Sequence, residues 1–385
     1  MQNNKKHSSL TTAFAVASVY FGAVVGPDMV GGSTSIVYYT PYGKWSWIPI
    51  VIVCAMIGLI MGVGSIVPRK YGAYEYNSYA KIIYGKFYKY MSPLLDFYII
   101  CAMLLGGAVV VSVGGEFFAT VLGCSKFVGY LLICVISALL VLWGDKIVRA
   151  TSSIMAILMV LFFIAVCCYI IFTNTDAVGA VYTQEPSFPG VTPVVAAIAP
   201  AIALGLSNAP NSVIQSAVMQ NVSRKRDSVL IGVFCFLMTT VAYLLSTNST
   251  LAFCPEMLGE SVPILTIIQT KLGANMGIMK AMYYALMFLA LVSSGAPQFH
   301  AIAARFSKIY PDKGAFRKLP VRNLVTGVIY FAACIAIAGF GVIALISKGY
   351  AVLGYVGMVI TLIPVFIITP IRAKLGKIDA KQINE

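Results

Sequence analysis

The residues best suited to binding a small ligand lie in the first long apolar segment, where an acid follows a glycine-rich stretch. Residues 22–32 contain four glycines, Pro27 and Asp28. Within a helix, each glycine costs about 1 kcal/mol and proline about 3 kcal/mol relative to alanine. We therefore predict that residues 22–26 form an unwound hinge between half-helices at about 10–21 and 27–40, with Gly22, Gly26 and Asp28 at a binding site.

Asp28 is open to two interpretations. A carboxylate at membrane depth costs about 2.5–3.5 kcal/mol on insertion scales, so its presence suggests a role as counter-ion for an amine or ammonium group. Alternatively, the partial positive charge and free N–H groups at the start of the second half-helix stabilise it. Both effects are large enough, and the sequence does not choose between them.

A second interrupted helix is predicted in the sixth apolar segment, residues 191–221. Pro200 and Gly205 weaken its centre, and Ser207 or Asn208 can cap a new helix whose first turn contains Pro210. We expect Gly205, Ser207 and Asn208 to lie at the same site as the first hinge. Two interrupted helices that are five spans apart run antiparallel, which is typical of an inverted-topology repeat with a central binding site.

The composition is that of a polytopic membrane protein. Of 385 residues, 59% are hydrophobic and 10% are charged. The N-terminal residues lack a signal-peptide cleavage pattern, so we expect the first span to be retained. The net charge of +14 is explained by short loops rather than by nucleic-acid binding. Nine scattered cysteines predict neither a disulfide framework nor a metal cluster, although a Cys124–Cys254 pair on the outer face stays open.

Apolar stretches long enough to span a membrane predict an all-α protein of ten spans. They lie at about 10–40, 45–67, 90–122, 127–145, 148–173, 191–221, 227–253, 276–308, 322–345 and 350–371. Lys and Arg concentrate in alternate loops, which places both termini in the cytoplasm. Residues 1–173 and 174–371 would form the two repeats, with an outer surface helix at 255–275 and a cytoplasmic tail at 372–385. An aromatic anchor is expected at the outer ends of the first two spans, formed by Tyr38, Tyr39, Tyr42, Trp45 and Trp47.

With two broken helices at matched positions, the chain resembles the five-plus-five inverted-repeat transporters of the amino acid–polyamine–organocation (APC) superfamily and the related sodium symporters. Within that group it looks most similar to the YkvI-type bacterial membrane proteins, which implies a bacterial cytoplasmic membrane. In sodium-coupled relatives, carbonyls of the first hinge and one carbonyl and two consecutive hydroxyls of span eight bind Na⁺. The positions that match are Gly22, Val25, Ala290, Ser293 and Ser294.

Five neutral oxygens favour Na⁺ over a transition metal. The alternative is that the two serines merely bond to carbonyls one turn back. Proton coupling is the other alternative, but span five has no lysine at mid-depth to replace the sodium ion. Glu116 and His300 are candidates for a gate or a proton acceptor. The pair Gly106 and Gly107 in span three leaves room either for substrate or for close helix packing.

The leading hypothesis is a secondary active transporter for a small amino acid or amine, with Na⁺ as coupling ion and no organic cofactor. A proton-coupled transporter and a non-transporting membrane sensor on the same scaffold are the alternatives. A channel is disfavoured because matched broken helices build an occluded site rather than a continuous polar pore. An intramembrane enzyme is not expected because HExxH, GxSxG and paired acids at membrane depth are absent from the sequence. Substrate identity and oligomeric state are not indicated.

Overall fold

The computed structural model describes residues 8–142, 145–271, 277–306, 310, 319–376 and 378. The N-terminal residues 1–7, the end of the predicted outer helix at 272–275 and most of the predicted tail lie outside them. The α-helices in chain order are α1 Ser9–Val24, α2 Pro27–Val30, α3 Ser33–Tyr38, α4 Trp47–Gly64, α5 Ile66–Tyr71, α6 Tyr76–Tyr84, α7 Tyr88–Leu122, α8 Lys126–Leu142, α9 Asp145–Thr173, α10 Thr175–Thr183, α11 Ile198–Leu206, α12 Asn211–Ile214, α13 Lys225–Leu251, α14 Pro263–Thr266, α15 Gly277–Phe306, α16 Leu319–Ala338, α17 Val342–Ala344, α18 Tyr350–Gly357 and α19 Thr369–Lys374.

The chain is a multi-pass membrane protein. By length and composition, seven helical stretches of the described residues can cross a membrane, and an eighth can if α9 and α10, which meet at 74°, count as one bent span. The sequence predicted ten. The number is lower because some predicted spans are shorter helices such as α1. The 16 residues of α1 are only about 24 Å long, whereas the hydrocarbon layer of a membrane is about 30 Å thick.

The helices form two packed groups. In one, α13 packs against α1 and α4, and α4 also packs against α11; in the other, α7, α8, α15 and α16 pack against one another. Glycines allow close approach in the first group, because a Cβ placed on Gly58 would lie 2.7 Å from the carbonyl oxygen of Gly232. The short helix α2 contacts α7 and α15 of the second group and α13 of the first. The segment after α1 therefore lies between the two groups.

The first interruption is shorter than predicted. Helix α1 continues to Val24, so Gly22 is helical and only Val25 and Gly26 lie between α1 and α2. The reason is that Pro27, rather than the glycines, ends the helix. Proline lacks an N–H and disfavours helical geometry in the residue before it. Gly26 accordingly has extended backbone angles, with φ −92° and ψ 178°. The predicted hinge at 22–26 therefore began three residues too early but ended at the correct residue.

The second half of this segment is also divided. The sequence predicted one half-helix from 27 to about 40, but turn residues Gly31 and Gly32 separate α2 from α3, which ends at Tyr38. Gly32 has φ +81°, a left-handed conformation that side chains other than glycine rarely adopt. The two glycines therefore mark a turn of their own.

In the sixth segment, α11 ends at Leu206, turn residues follow, and α12 begins at Asn211 with Pro210 at its N-cap. Ser207 and Asn208 do not cap α12 as expected. The Ser207 hydroxyl and the Asn208 amide both donate to the carbonyl of Leu204, at 2.7 and 3.1 Å. The two side chains therefore hydrogen-bond to a carbonyl group at the end of α11, where carbonyl groups lack donors from the helix itself.

The described part of the segment after α13, residues 255–271, is not the surface helix predicted for 255–275. It consists of turns, the four-residue helix α14 and a π-type turn at Ile267–Lys271. Ile264, Leu265, Ile267 and Ile268 are buried, so this segment packs into the protein. Cys124 and Cys254 are free thiols, and burial raises the pKa of the Cys254 thiol to about 12.

Candidate functional site

The interruption after α1 frees carbonyl groups at the end of that helix. The N–H of Gly26 donates to the carbonyl of Val24 at 2.7 Å, so Gly22 loses its helical donor four residues ahead. Pro27 has no N–H, so Ala23 loses its donor as well. The C-terminal end of a helix carries a partial negative charge, and such carbonyls can bind a cation or water. The Gly22 carbonyl thus lies at a helix end, where it can bind a cation as the sequence predicted.

Asp28 lies at the start of α2, and one of its oxygens is held by two other elements. Thr34 Oγ1 donates to Asp28 Oδ2 at 2.9 Å, and the Tyr350 hydroxyl donates to the same oxygen at 3.4 Å. Side-chain donors from α3 and α18 therefore hold this carboxylate.

Three tyrosines that the sequence assigned to the outer aromatic anchor are buried instead. Tyr39 is 0% exposed, and its ring meets the Tyr243 ring edge-on with centroids 5.1 Å apart. Tyr38 is buried as well, and its hydroxyl donates to the carbonyl of Ile346 at 2.9 Å. These two tyrosines, with buried Tyr42, do not belong to the outer aromatic anchor. Exposed Trp45 and Trp47, at 44% and 46%, can still serve there.

The two serines predicted for cation binding have different surroundings. The Ser293 hydroxyl donates to the carbonyl of Ala290 at 3.2 Å and lies 3.7 Å from the sulfur of Met159. Ser294 instead lies beside the first interruption, because its Oγ would be 3.6 Å from a Cβ built on Gly26. The structure therefore brings Ser294, but not the Ser293 hydroxyl, against the residues that follow α1.

Val25 and Ala290, the other two predicted cation ligands, are both 0% exposed. Val25 has non-helical backbone angles, φ −71° and ψ 71°, so its carbonyl is not part of a regular helix. The residues here offer carbonyl, hydroxyl and carboxylate oxygens, which suit a hard cation such as Na⁺. Among the described residues, no group of three or more His, Cys, Asp or Glu side chains is arranged to hold a metal ion.

Helix α1 and the turn that follows α11 are joined by a hydrogen bond. The Tyr20 hydroxyl of α1 donates to Asn208 Oδ1 at 2.8 Å, and Asn211 Nδ2 donates to the same oxygen at 3.4 Å. Gly205 lies one turn earlier and packs against Met56 of α4, since a Cβ there would come within 2.7 Å of the sulfur. Asn208 thus links the interruptions, and Gly205 provides room for α4.

Gly106 and Gly107 lie at a different helix interface. A Cβ on Gly106 would meet the amide of Gln298 at 3.1 Å, and one on Gly107 would lie 2.1 Å from the Tyr330 hydroxyl. A cavity of about 10 Å³ next to Gly107 is lined also by Ser137 and Gly295, and it is the size of one water molecule. Of the two predicted roles, close packing is the one these contacts favour.

The predicted gate or proton candidates are distributed along the second group of helices. Glu116 near the C-terminal end of α7 pairs with Lys126 Nζ at 2.6 Å, in a partly exposed ion pair. His300 is half-buried on α15, two turns after Ser294, and takes part in further interactions. Asp96 near the other end of α7 pairs with Arg305 and accepts from the Tyr76 hydroxyl, both at 2.6 Å.

The outer segment is seated on the turn between α2 and α3, a contact that the sequence did not predict. Ile264 N–H donates to the carbonyl of Gly31 at 3.0 Å, and Ser33 Oγ donates to the carbonyl of Ser261 at 2.5 Å. A Cβ on Gly32 would lie 3.0 Å from both Pro263 and Ile264. The paired glycines therefore form the surface against which this segment packs.

Buried hydroxyls join α3 to α13. Ser246 Oγ lies 2.9 Å from Ser35 Oγ and 3.2 Å from the carbonyl of Met29, and the Thr40 and Thr250 hydroxyls are 2.8 Å apart. The polar run at 246–250 in an otherwise apolar span was a sequence signal for this contact. This polar run did not by itself predict a contact between helices, because hydroxyl groups in a helix can also bond to carbonyl groups of the same helix.

Solved structures similar to this chain are membrane transporters. Mhp1, a nucleobase-cation-symport-1 family transporter in a closed conformation with bromovinylhydantoin bound, aligns with TM-score 0.63 and 11% identity over 97% of this chain and 81% of its own. MhsT in complex with L-phenylalanine aligns with TM-score 0.52 and 15% identity over 97% and 99%. A manganese transporter of Eremococcus coleocola, in complex with an aromatic bis-isothiourea substituted compound, aligns with TM-score 0.53 and 15% identity over 93% and 78%.

The chain thus shares its fold with these solved structures. At 11% to 15% identity, this likeness concerns the fold. No protein-family profile and no curated protein sequence matches the chain.

Proposed function

We propose that this protein is a secondary active transporter that works by alternating access and moves a small amino acid or amine together with Na⁺. The observation that carries the proposal is the meeting of two interrupted segments at Tyr20 and Asn208, with the Asp28 carboxylate and free α1 carbonyls beside the first interruption. Backbone irregularity at membrane depth is tolerated where it lines a binding site. The similarity to a nucleobase-cation-symport-1 family transporter supports cation coupling.

The finer organisation belongs to the same proposal. We assign ten spans in two inverted repeats, 1–173 and 174–371, and a tail at 372–385. The assignment includes the YkvI-type group, a bacterial cytoplasmic membrane and cytoplasmic termini. The substrate would contact the neighbourhood of Gly22, Gly26, Asp28, Ser207 and Asn208, and Na⁺ the α1 end and Ser294. Proton coupling is the alternative, and it would draw on Asp28, Glu116 or His300.

A thermal-shift screen of the purified protein tests the proposal. Amino acids, amines and polyamines are added in Na⁺ or in K⁺ at two pH values. A ligand at 100 times its Kd stabilises by about 2.7 kcal/mol. We expect one substrate class to raise the melting temperature only in Na⁺, and radiolabelled uptake into proteoliposomes to follow a Na⁺ gradient. Stabilisation without uptake would support the sensor, and a response to pH instead of Na⁺ would support proton coupling.

A further inference from the structure

We propose that this protein binds an anionic phospholipid in a groove between α1 and the segment that precedes α13. The acyl chain would lie in the groove, and the headgroup would bind a basic patch beside it. The proposal goes beyond transport, because this lipid is neither the substrate nor the coupling ion. The basic patch consists of exposed or partly exposed side chains of α5 and of the start of α13, namely Arg69, Lys70, Arg224, Lys225 and Arg226.

The groove is a cavity of about 210 Å³ along the first half of α1. Helix α1 lines it from Thr11 to Val19, a rise of about 12 Å, and Val218 and Asn221 form the opposite wall. The 3₁₀ turn Gln215–Met219, which contains Val218, packs against α1. Because α1 precedes the first interruption and this turn follows the second, a ligand in the groove would contact both interrupted segments.

The lining of the groove changes from polar to apolar along its length. Thr11 lies two residues after the start of α1, and Asn221 lies four residues before the start of α13. Ala15, Val19 and Val218 line the groove at positions further from these two helix starts. The groove therefore has a polar end and an apolar end, in the order in which a phospholipid presents its headgroup and its acyl chain to a membrane protein.

The apolar end of the groove opens to the outside of the helix bundle. Val19 is 49% exposed and Val218 is 42% exposed, and the neighbouring Leu10 and Phe14 of α1 are 53% and 51% exposed. Exposed apolar side chains on a membrane protein face the hydrocarbon layer. An occupant can therefore enter from the membrane, which favours a lipid over a water-soluble ligand.

The basic patch lies beside the polar end of the groove. Arg224 follows Asn221 by three residues, and its carbonyl accepts a hydrogen bond from Arg69 Nη1 at 3.3 Å, which joins α5 to the start of α13. Asp227 is only 2% exposed, and its Oδ2 accepts from the N–H groups of Ser223 and Arg224 at 3.0 and 2.9 Å. This acid therefore holds the backbone of the patch in place from the buried side.

The charge of the basic patch is complementary to a phosphodiester group. Its two elements contribute five basic residues and one acid, Asp227. Within the part of the chain that the structure describes, Lys70, Lys225 and Arg226 form no ion pair. Arginine and lysine are the side chains that bind phosphate oxygens most strongly. In the topology proposed above, the patch faces the cytoplasmic leaflet, which carries anionic lipids.

The test measures lipid binding to the full-length protein by native mass spectrometry. Protein in a non-ionic detergent is titrated with phosphatidylglycerol or phosphatidylcholine, both carrying the same palmitoyl and oleoyl chains. One basic side chain near an anionic headgroup strengthens binding about fivefold. We expect phosphatidylglycerol to bind about tenfold more tightly than phosphatidylcholine in the wild type. Lys225→Gln with Arg226→Gln should remove most of this preference.

The matched control for charge is Lys86→Gln with Lys89→Gln. Both lysines are exposed beside the start of α7, and neither lines the groove. Cytoplasmic loops are basic for topological reasons alone, so this pair represents basic residues without a groove. The control should keep the wild-type preference for phosphatidylglycerol. An equal loss in the two double variants would reveal a diffuse charge effect and overturn the proposal.

The groove itself is tested by filling it. Ala15→Phe adds a ring to an exposed position of the lining, and we expect phosphatidylglycerol binding to weaken about tenfold, the effect of losing about two buried methylene groups. Ala332→Phe on α16 is the control, since Ala332 is also an exposed alanine of a membrane helix. If Ala15→Phe lowers the melting temperature, Val218→Phe fills the groove from the opposite wall.

Three results would overturn the proposal. The first is equal affinity of the wild type for the two lipids, and the second is wild-type phosphatidylglycerol binding in a folded groove-filling variant. The third is binding of glycerol 3-phosphate as tight as that of the lipid, because a headgroup alone would then account for the site. These measurements do not use transport, so the proposal can fail while the proposed function stands, and the reverse.

Discussion

At the scale of single residues, the Tyr20–Asn208 hydrogen bond is the contact that joins the two interruptions. Tyr20 is 0% exposed, so Tyr20→Phe leaves the Asn208 oxygen with only the weaker donor Asn211 at 3.4 Å. We expect a loss of about 0.5–1.5 kcal/mol in the free energy of unfolding. Thermal denaturation in detergent measures it, with Tyr90→Phe as control because Tyr90 is 71% exposed. Equal melting temperatures for both variants would contradict this role.

At this scale the sequence points to single residues more readily than to their contact partners. Asp28 and the glycines around it were visible because they are costly or unusual in an apolar helix, whereas Ser294 was predicted from the resemblance to sodium-coupled transporters. Tyr20 was not, since its partner Asn208 lies 188 residues away and nothing local distinguishes it from other core tyrosines. Tyr39 was misassigned because a tyrosine suits both a membrane interface and a buried site with a polar partner.

At the scale of elements, the seat of the outer segment on Gly32 predicts a local effect of mutation. Gly32→Ala has two costs: a left-handed φ of +81°, and a Cβ 3.0 Å from Pro263 and Ile264. Gly72→Ala has the first cost alone, because φ is +68° and nothing lies within 4 Å of the added Cβ. The backbone cost is about 1–2 kcal/mol in each. We expect faster amide hydrogen exchange in residues 261–271 only for Gly32→Ala. The same exchange rates in the two variants would mean that this seat does not hold the segment.

The boundaries of elements follow from proline more than from glycine. The first helix ends where Pro27 requires it, and Gly22 stays helical because a glycine weakens a helix without forbidding it. The outer segment was predicted to lie on the surface because its two acids and two prolines look polar beside the spans. Its apolar residues find buried positions on α2 and α3, a long-range contact that no local pattern encodes.

At the scale of the whole molecule, the apolar pattern predicted the class of fold, but the division into spans is harder to derive. A hydropathy pattern counts an apolar stretch as one span whether or not its helix is continuous. In the structure, the stretch at 10–40 contains α1, α2 and α3, and α1 alone is too short to cross. The packing of α4 against α13 in the first group depends on contacts such as Gly58 with Gly232, which lie 174 positions apart by their numbers in the sequence.

Topology is the prediction that belongs to this scale. Ten spans with a cytoplasmic N-terminus place the C-terminus inside and the segment after α13 outside, because α13 would be the seventh crossing. Alkaline phosphatase, which is active only outside the cytoplasmic membrane, is fused after Lys271 and after Glu385, and green fluorescent protein is fused after Glu385 in parallel. The phosphatase fused after Lys271 should be active, and the phosphatase fused after Glu385 should be inactive. The green fluorescent protein fused after Glu385 should be fluorescent. An active phosphatase at Glu385 would require an odd number of crossings, and one span of the ten would then have to be a re-entrant or surface helix.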